Sequence, residues 1–291
     1  MSSPISETAV SLPTPALRPF ITQYAGFRVS GVPPGLHFGL PSSDVDLIIS
    51  LGSPIDIVQM PNTSQPPASF TALVSGLQDA AAILRQGGEA FGLHIFVKPL
   101  GVRAILGVTS AEIATLVLSL SDIWGNVAGD LTEMLLGTGT WPERFSVLDK
   151  LFISKLNLTD VAPEISWAWE RLAKTHGSAT VQQLADDVGY CRRHFSESFR
   201  DAVGVAPKLA ARVFRFERAC RLIANNEVCL AQVALECGYY DLAHLTREWY
   251  ALAGCSPGRW IARELPFLQD YELGGRDNES DELESLHQSL F

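Results

Sequence analysis

Long apolar runs and catalytic signatures are missing from this sequence of 291 residues. No stretch approaches the roughly 20 apolar residues that a membrane-spanning helix requires, so no membrane partner is expected. The first residues, MSSPISETAV, contain no basic region followed by an apolar core, so no secretory signal is expected. The GxSxG, P-loop, GxGxxG and HExxH patterns do not occur, which leaves no motif for nucleophilic, nucleotide-dependent or zinc-dependent catalysis.

Cysteine is scarce and unevenly placed. The five cysteines are an odd number, all fall between residues 191 and 255, and none forms a CxxC pair. The pattern predicts neither a disulfide framework nor a metal site, and it favours a reduced, cytoplasmic chain. His37 and His94 are the only histidines before residue 160, and without an HxH pair they predict no catalytic metal. We therefore expect no cofactor.

Positive charge is also in short supply. The chain has 22 Lys+Arg against 32 Asp+Glu and a net charge of −10, which by itself argues against a nucleic-acid partner. One segment differs: residues 165–265 carry 13 basic and 11 acidic side chains, a net of +2, while residues 1–164 and 266–291 are each at −6. A DNA contact is expected in the net-positive segment. The final residues, 269–291, are acidic and polar and predict a disordered tail.

Short apolar runs separated by turn residues occupy most of the first hundred residues. DLIISL and IDIVQM flank the turn GSP, and FTALVSGL, AAILRQGG and AFGLHIFVKPL follow. The pair Gly87-Gly88 predicts a hairpin turn between the last two runs. Strands of this length and spacing favour a small antiparallel barrel or sandwich.

The pattern becomes helical from about Thr109. Thr140, Trp141 and Pro142 predict a helix start, and ERFSVLDKLFISKL gives that helix one apolar face, formed by Phe145, Leu148, Phe152 and Leu156. We therefore predict an α+β chain whose residues 1–160 form a β-rich sensing or dimerisation domain with helices at its C-terminal end. Because those helices carry apolar stripes outside the sheets, they are the expected dimer surface.

One supersecondary unit occurs twice. In the first copy, Thr180 and Gln183 have the spacing of a capping box, and Gly189 permits the positive φ that ends a short helix. A second helix is predicted from Arg192 to Ala202, with two phenylalanines four residues apart on its buried face. A short helix, a tight turn and a second helix with a polar outward face predict a helix-turn-helix.

The second copy, VALECGYYDLAHLTREWYALAGCSP, repeats this outline about fifty residues later. The matched residues are Ala185 with Ala234, Gly189 with Gly238, Phe195 with Leu245, Phe199 with Trp249, Gly204 with Gly254 and Pro207 with Pro257. Residues 208–224, between the copies, predict one continuous helix. Two recognition helices joined in this way can enter successive major grooves, about 34 Å apart on one face of a duplex. We therefore predict an all-α DNA-binding domain over residues 161–268.

The candidate DNA contacts are the side chains on the outward faces of the two recognition helices. They are Arg192, Arg193, Ser196, Glu197 and Arg200 in the first copy and Leu242, Ala243, Thr246 and Arg247 in the second. For Arg193, reading of a guanine edge and a phosphate contact both stay open. The Glu197 carboxylate has two possible roles, to accept a hydrogen bond from cytosine N4 or to form a local ion pair. The Leu242 side chain also has two, to contact a thymine methyl group or to cap its helix sterically. Cys191 has two possible roles, as a redox-sensitive thiol or as a weak replacement for a serine cap.

These segments resemble the DNA-binding domain of AraC-type transcriptional regulators. The resemblance rests on TVQQLADDVGYCRRHFSESF, RFERACRLI, VALECGYYDLAHLTREWY and AGCSPGRW, and it covers residues 166–265, about a third of the chain. It implies a sequence-specific regulator with double-stranded DNA, a small-molecule effector and a second copy of itself as partners. Residues 1–160 look like the β-rich, cupin-like sensing domains of this family.

Four positions depart from the pattern of the family. Glu197 stands where the family often has arginine, and Leu242 stands where a polar residue is usual. Cys191 and Cys229 stand where a serine cap is usual. These departures leave the fold prediction unchanged and leave the DNA sequence open.

Two other classes of function are compatible with the sequence. A DNA-linked enzyme with a β-barrel catalytic domain needs an activated cysteine or a metal cluster outside the DNA-binding region. The placement of every cysteine between residues 191 and 255 counts against it. A scaffold protein would show no preference for any DNA sequence. We therefore predict a DNA-binding regulator that is not an enzyme.

Deletion of residues 272–291 is expected to leave specific DNA binding unchanged, because an acidic, polar segment cannot bury a core. The measurement is the dissociation constant of the full-length and truncated proteins for one duplex selected by the full-length protein. Loss of recognition by a folded truncated protein would contradict this expectation.

Overall fold

The computed structural model describes residues 5–31, 34–158, 160–224 and 229–268. The predicted acidic tail, residues 269–291, lies outside the described residues. The strands are β1 (Ile5–Ser11), β2 (Ile21–Ser30), β3 (Gly35–Gly39), β4 (Val45–Ser50), β5 (Ile55–Gln59), β6 (Ala68–Phe70), β7 (Ala72–Ser75), β8 (Ala82–Gln86), β9 (Glu89–Val97) and β10 (Val117–Ser119). The helices are α1 (Val102–Leu106), α2 (Ser110–Ile113), α3 (Leu120–Trp124), α4 (Asn126–Leu136), α5 (Trp141–Lys155), α6 (Pro163–Lys174), α7 (Val181–Asp187), α8 (Arg192–Val203), α9 (Pro207–Ala224), α10 (Leu230–Glu236), α11 (Leu242–Ala253) and α12 (Pro257–Leu268).

The strands form two antiparallel sheets, and the α+β class predicted from the sequence is confirmed. The larger sheet has the order β1-β2-β9-β4-β7-β10, and the smaller has the order β3-β8-β5-β6. In the larger sheet Leu47 of β4 lies opposite Ile95 of β9, and both side chains are fully buried. Alternating aliphatic residues therefore give this sheet one apolar face for the core.

The hairpin predicted at Gly87-Gly88 is wrong. β8 pairs with β3 and β5 in the smaller sheet, whereas β9 pairs with β2 and β4 in the larger one. Both edges of each strand are therefore occupied by other partners, and the two glycines carry the chain from one sheet to the other. The backbone N–H of Gly31 donates to the carbonyl oxygen of Gly88 at 2.9 Å, which joins this crossing to the end of β2.

Three strands, β1 to β3, precede the first strand that the sequence predicted. β2 carries Gly26 at its centre, and a glycine inside a strand weakens the local pattern. The indole of Trp141 occupies the space that a side chain at position 26 would take. Its Nε1–H donates to Glu7 of β1 at 2.8 Å. The glycine is thus explained by a contact with α5, more than a hundred residues away along the chain.

Helix α5 begins where the sequence predicted. Thr140 is its N-cap, and the Thr140 and Glu143 side chains form a capping box. Phe145, Leu148 and Phe152 are buried as expected, while the fourth predicted residue of that face, Leu156, is half-buried past the helix end. No helix in the described ranges is both long and apolar enough to span a membrane.

Two hydrophobic cores organise the helical half of the protein. The first is continuous with the core of the larger sheet, so that Leu47, Phe152 and Phe199 belong to one cluster. The second contains Phe216, Trp249 and Trp260. Phe38 of β3 also belongs to this second cluster, so the β-rich part of the chain contributes to both cores.

Replacement of Phe199 by alanine is expected to reduce the free energy of unfolding by about 3–5 kcal/mol, because it leaves a cavity in the first core. The ring is fully buried and lies 6.2 Å from Trp169, centroid to centroid. Leu235→Ala is the matched control, because that side chain is 72% exposed. It should change stability by less than about 0.5 kcal/mol. Equal denaturant midpoints for the two variants would contradict the burial of Phe199.

Candidate nucleic-acid interface

The first helix-turn-helix copy, α7 and α8, has the local geometry that its sequence predicts. The Thr180 hydroxyl accepts from the backbone N–H of Gln183 at 3.2 Å, and the Gln183 side chain accepts from the backbone N–H of Thr180 at 2.9 Å. Gly189 has a φ of 73°, which ends α7. The backbone N–H of Tyr190 then donates to the carbonyl of Ala185 at 2.9 Å and closes the turn.

Helix α8 separates a buried face from an outward face. Phe195, Phe199 and Val203 are fully buried. The predicted contact residues lie on the other side, where Arg192, Arg193, Glu197 and Arg200 are exposed and Ser196 is half-buried. The Ser196 hydroxyl donates to the carbonyl of Arg192 at 2.8 Å, so its proton is used within the helix.

Arg193 and Glu197 form an ion pair on the outward face of α8. The Arg193 Nε lies 2.9 Å from a carboxylate oxygen of Glu197, and the two side chains are 87% and 57% exposed. An exposed pair of this kind contributes at most about 1 kcal/mol, so it opens easily. The structure thus shows the local ion pair that was one alternative for Glu197, and it leaves the Arg193 guanidinium accessible.

The second copy, α10 and α11, repeats the geometry of the first. Gly238 has a φ of 72°, and the backbone N–H of Tyr239 donates to the carbonyl of Ala234 at 2.9 Å, as Tyr190 does in the first copy. The Thr246 hydroxyl donates to the carbonyl of Leu242 at 2.8 Å, which matches the Ser196 bond. The repeat predicted from the sequence is therefore a structural repeat.

The outward face of α11 is less polar than that of α8. Leu245 and Trp249 are buried, as predicted. The predicted contact residues Leu242, Ala243 and Arg247 are exposed, and Thr246 is half-buried. Tyr250, which is not among the predicted contacts, is also on α11, and its side chain is 61% exposed.

The two recognition helices begin differently. The carboxylate of Asp241 accepts from the backbone N–H of His244 at 2.6 Å and caps α11. Asp241 therefore supplies the cap that Leu242 was considered to provide sterically. An aspartate directly before an apolar helical pattern is a cap signal that sequence reasoning missed. Cys191, at the same place in α8, makes no side-chain capping bond and is exposed.

Cysteine environments differ sharply across this half of the protein. Cys191 and Cys229 are exposed, while Cys220, Cys237 and Cys255 are buried. Burial raises the pKa of the Cys237 thiol to about 11, and nearby Arg218 opposes this shift. Cys237 is therefore protonated at neutral pH and unreactive as a nucleophile.

Helix α9 connects the two copies without a break. Its 18 residues span about 27 Å. Arg212 of α9 donates to the Glu248 carboxylate of α11 at 2.6 Å, and each side chain is only about a quarter exposed. The Arg215 guanidinium lies 5.8 Å from the centre of the Tyr239 ring. These two arginines therefore hold α9 against the second copy.

Comparisons with known proteins agree with this geometry. Residues 184–263 match a family model described as a helix-turn-helix domain. No curated protein sequence matches the chain. The family model therefore matches the part of the chain that contains the two repeated units.

Several solved structures are similar to this chain, and they share little sequence with it. ToxT from Vibrio cholerae is 10% identical over 88% of this chain and 98% of its own, with a TM-score of 0.49. The unsaturated-fatty-acid-bound wild-type ToxT of that organism is 10% identical over 89% and 95%, with a TM-score of 0.47. The C-terminal domain of AraT, a response regulator from Geobacillus stearothermophilus, is 17% identical over 36% and 88%, with a TM-score of 0.34. At these values the similarity says nothing of a ligand for this chain.

The family match and the repeated geometry together identify the C-terminal part of the chain. Residues 184–263 form an AraC-type helix-turn-helix domain, the DNA-binding domain of transcriptional regulators. The family that has this domain is one of DNA-binding transcription regulators.

Replacement of Asp241 by alanine is expected to lower the free energy of unfolding by about 0.5–2 kcal/mol, because α11 loses its side-chain cap. Cys191→Ala removes no cap and is the matched control, expected within about 0.5 kcal/mol of the native protein. Cys191→Asp should instead stabilise the protein by adding a cap to α8. Chemical denaturation of the three variants gives the comparison, and an Asp241→Ala protein as stable as Cys191→Ala would contradict it.

Proposed function

We propose that this chain is a transcriptional regulator whose two helix-turn-helix units bind successive major grooves of one duplex. The observation that supports this most directly is the repeat itself. Helices α8 and α11 follow turns of the same geometry, each presents an outward face, and one continuous helix, α9, lies between their units. Helix α9, about 27 Å long, lies between two short units. This length suits the spacing of about 34 Å between successive major grooves on one face of a DNA duplex.

The nine residues predicted as DNA contacts divide into three roles in this proposal. Arg193 reads a base edge, because an exposed guanidinium can bond to O6 and N7 of guanine once its pair with Glu197 opens. Arg192, Arg200 and Arg247 hold phosphates. The remaining contact residues lie against the groove and fill it, namely Ser196, Glu197, Leu242, Ala243 and Thr246.

The β-rich part, residues 1–160, serves in this proposal as the domain that senses an effector or forms a homodimer. The DNA-binding domain, residues 161–268, contacts it at the end of α8 and on α9. The Gly204 backbone at the end of α8 lies so close to Ser110 that an added Cβ would be 2.5 Å from the Ser110 carbonyl oxygen. The backbone N–H of Ser43 donates to the Glu217 carboxylate of α9 at 2.8 Å.

These contacts suggest how regulation would work. A small-molecule effector, or a second molecule of this protein, could favour one arrangement of the β-rich domain. It would then change the position of α8 and α9, and hence the affinity for DNA. The proposed dimer surface, which would contact a second molecule of this protein, consists of exposed apolar side chains. They are Met134 and Leu136 of α4 and Ile153 of α5. These are among the helices that sequence analysis predicted as the dimer surface.

A cytoplasmic regulator that carries out no catalysis is the simplest reading of the remaining residues. His94 of the β-rich domain is buried, lies 2.9 Å from the Asp46 carboxylate and stacks on Phe96. A histidine held in this way contributes to packing. The alternative of a DNA-linked enzyme with a β-barrel catalytic domain would require an activated cysteine or a metal cluster in this domain, and neither occurs among its described residues.

The full-length protein is expected to protect two patches about 10 bp apart on one face of a duplex selected from a random pool. Arg193→Ala should weaken binding to this duplex by about 1–3 kcal/mol and relax the preference at one base pair. Arg200→Ala should weaken binding to all sequences alike and lower the salt dependence by about one phosphate contact. Hydroxyl-radical footprinting and binding isotherms at several salt concentrations measure these effects.

Leu235→Ala, on the exposed side of α10, is the control for this experiment. Absence of any binding by the folded protein at low salt would remove the proposed function. Unchanged binding by a folded Arg193→Ala protein would show instead that another face of α8 enters the groove.

A further inference from the structure

The outward faces of the two recognition helices carry different chemistry. With the repeat offset of fifty residues, the residues in equivalent places are Arg192 and Leu242, Arg193 and Ala243, Glu197 and Arg247, and Arg200 and Tyr250. Helix α8 therefore presents four charged side chains where α11 presents one. The hydroxyl-bearing pair Ser196 and Thr246 is the part that the two faces share.

Leu242 leaves much of its apolar side chain exposed although it is not needed as the cap of its helix. The side chain is 42% exposed in the first turn of α11. Its helix is capped by Asp241, whose carboxylate accepts from the backbone N–H of His244 at 2.6 Å. A partner that covers the exposed part of this side chain gains the free energy of burying apolar surface.

The neighbours of Leu242 on this face add little polarity. Ala243 is exposed and has only a methyl group to offer. The Thr246 proton is already donated to the carbonyl of Leu242 at 2.8 Å, so its methyl group and an acceptor oxygen remain. Arg247 is the one charged group of the set and suits a phosphate.

The major groove contains one apolar feature that such a face can recognise. The edges of G, C and A present hydrogen-bonding groups there, whereas T adds a C5-methyl group, and small apolar side chains contact this group. On the basis of the proposed function, we propose that α11 recognises thymine methyl groups through Leu242 and Ala243. Helix α8 recognises its half-site through charged hydrogen bonds.

The binding site is then asymmetric. The half-site under α11 contains thymines at the positions that face Leu242 and Ala243, and its recognition depends on methyl groups. The half-site under α8 depends on hydrogen bonds that are the same in thymine and uracil. Substitution of deoxyuridine for thymidine removes only the methyl group, so it separates the two kinds of recognition.

The exposed cysteines give a direct way to assign the half-sites. Cys191 lies at the start of α8 and Cys229 at the start of α10, and the other three cysteines are buried. A DNA-cleaving iron chelate attached to Cys191 in the Cys229→Ser protein marks the half-site of the first unit. The same reagent on Cys229 in the Cys191→Ser protein marks that of the second.

Deoxyuridine is then placed at each thymine of the duplex that the full-length protein selects from a random pool. In the half-site of α11, each contacted methyl that is removed should weaken binding about fourfold, from the free energy of burying one such group. In the half-site of α8, the substitution should leave the dissociation constant unchanged.

Leu242→Ala tests whether this side chain makes the contact. The variant should bind the thymine duplex about fourfold more weakly than the native protein and should lose the penalty for uracil at one position. Arg193→Ala should retain the full penalty for uracil in the half-site of α11. Thermal melting of each variant shows that it is folded.

Three outcomes would overturn the proposal. They are no effect of uracil in the half-site of α11, an effect confined to the half-site of α8, and a Leu242→Ala protein with the native penalty for uracil. In each of these outcomes the selected duplex is still bound and two patches are still protected, so the proposed function stands. The first outcome would assign this apolar face to contact with another protein. Failure to select any duplex would remove the proposed function itself.

Discussion

Phe214 and Phe216 stand two residues apart on α9 and pack into different hydrophobic cores. Phe214 lies 5.0 Å from Trp169 in the first core, and Phe216 lies 4.9 Å from Trp249 in the second, centroid to centroid. Two residues on a helix are separated by about 200°, so opposite faces of α9 are both occupied by packing. The helix therefore cannot turn without opening one of the two cores. The relative orientation of the two outward faces follows from this constraint.

The helix-turn-helix units could be predicted closely because their signals are local. A Thr-x-x-Gln capping box, glycines that require positive φ and aromatic residues at helical spacing all act within a few residues of one another. Helix α8 was predicted from Arg192 to Ala202, and it runs from Arg192 to Val203. Helix α11 shows the limit of this reasoning, since Asp241 was not recognised as its cap although the signal was present.

The β-rich part was predicted less well because pairing between strands is not local. Gly87-Gly88 suited a hairpin, yet β8 and β9 pair with other strands, and nothing within the two glycines indicates that choice. Strand β2 was not predicted because Gly26 interrupts its pattern of side chains. The glycine is needed there because the Trp141 ring occupies the space of a side chain, and that contact is not local in sequence. The contact between Ser43 and Glu217 joins residues 174 positions apart, and no sequence pattern indicated it.

The different beginnings of α8 and α11 give the first turns of the two helices different stability. The first turn of α8 has no side-chain acceptor for its free N–H groups, whereas Asp241 holds the first turn of α11, so α8 opens at its first turn at a lower cost in free energy than α11 does. Arg192 and Arg193 stand in the first turn of α8. In the proposed complex with DNA, the first unit would order this turn on binding and lose entropy. The second unit would bind with its first turn already held, so its contacts would add to affinity with little further ordering.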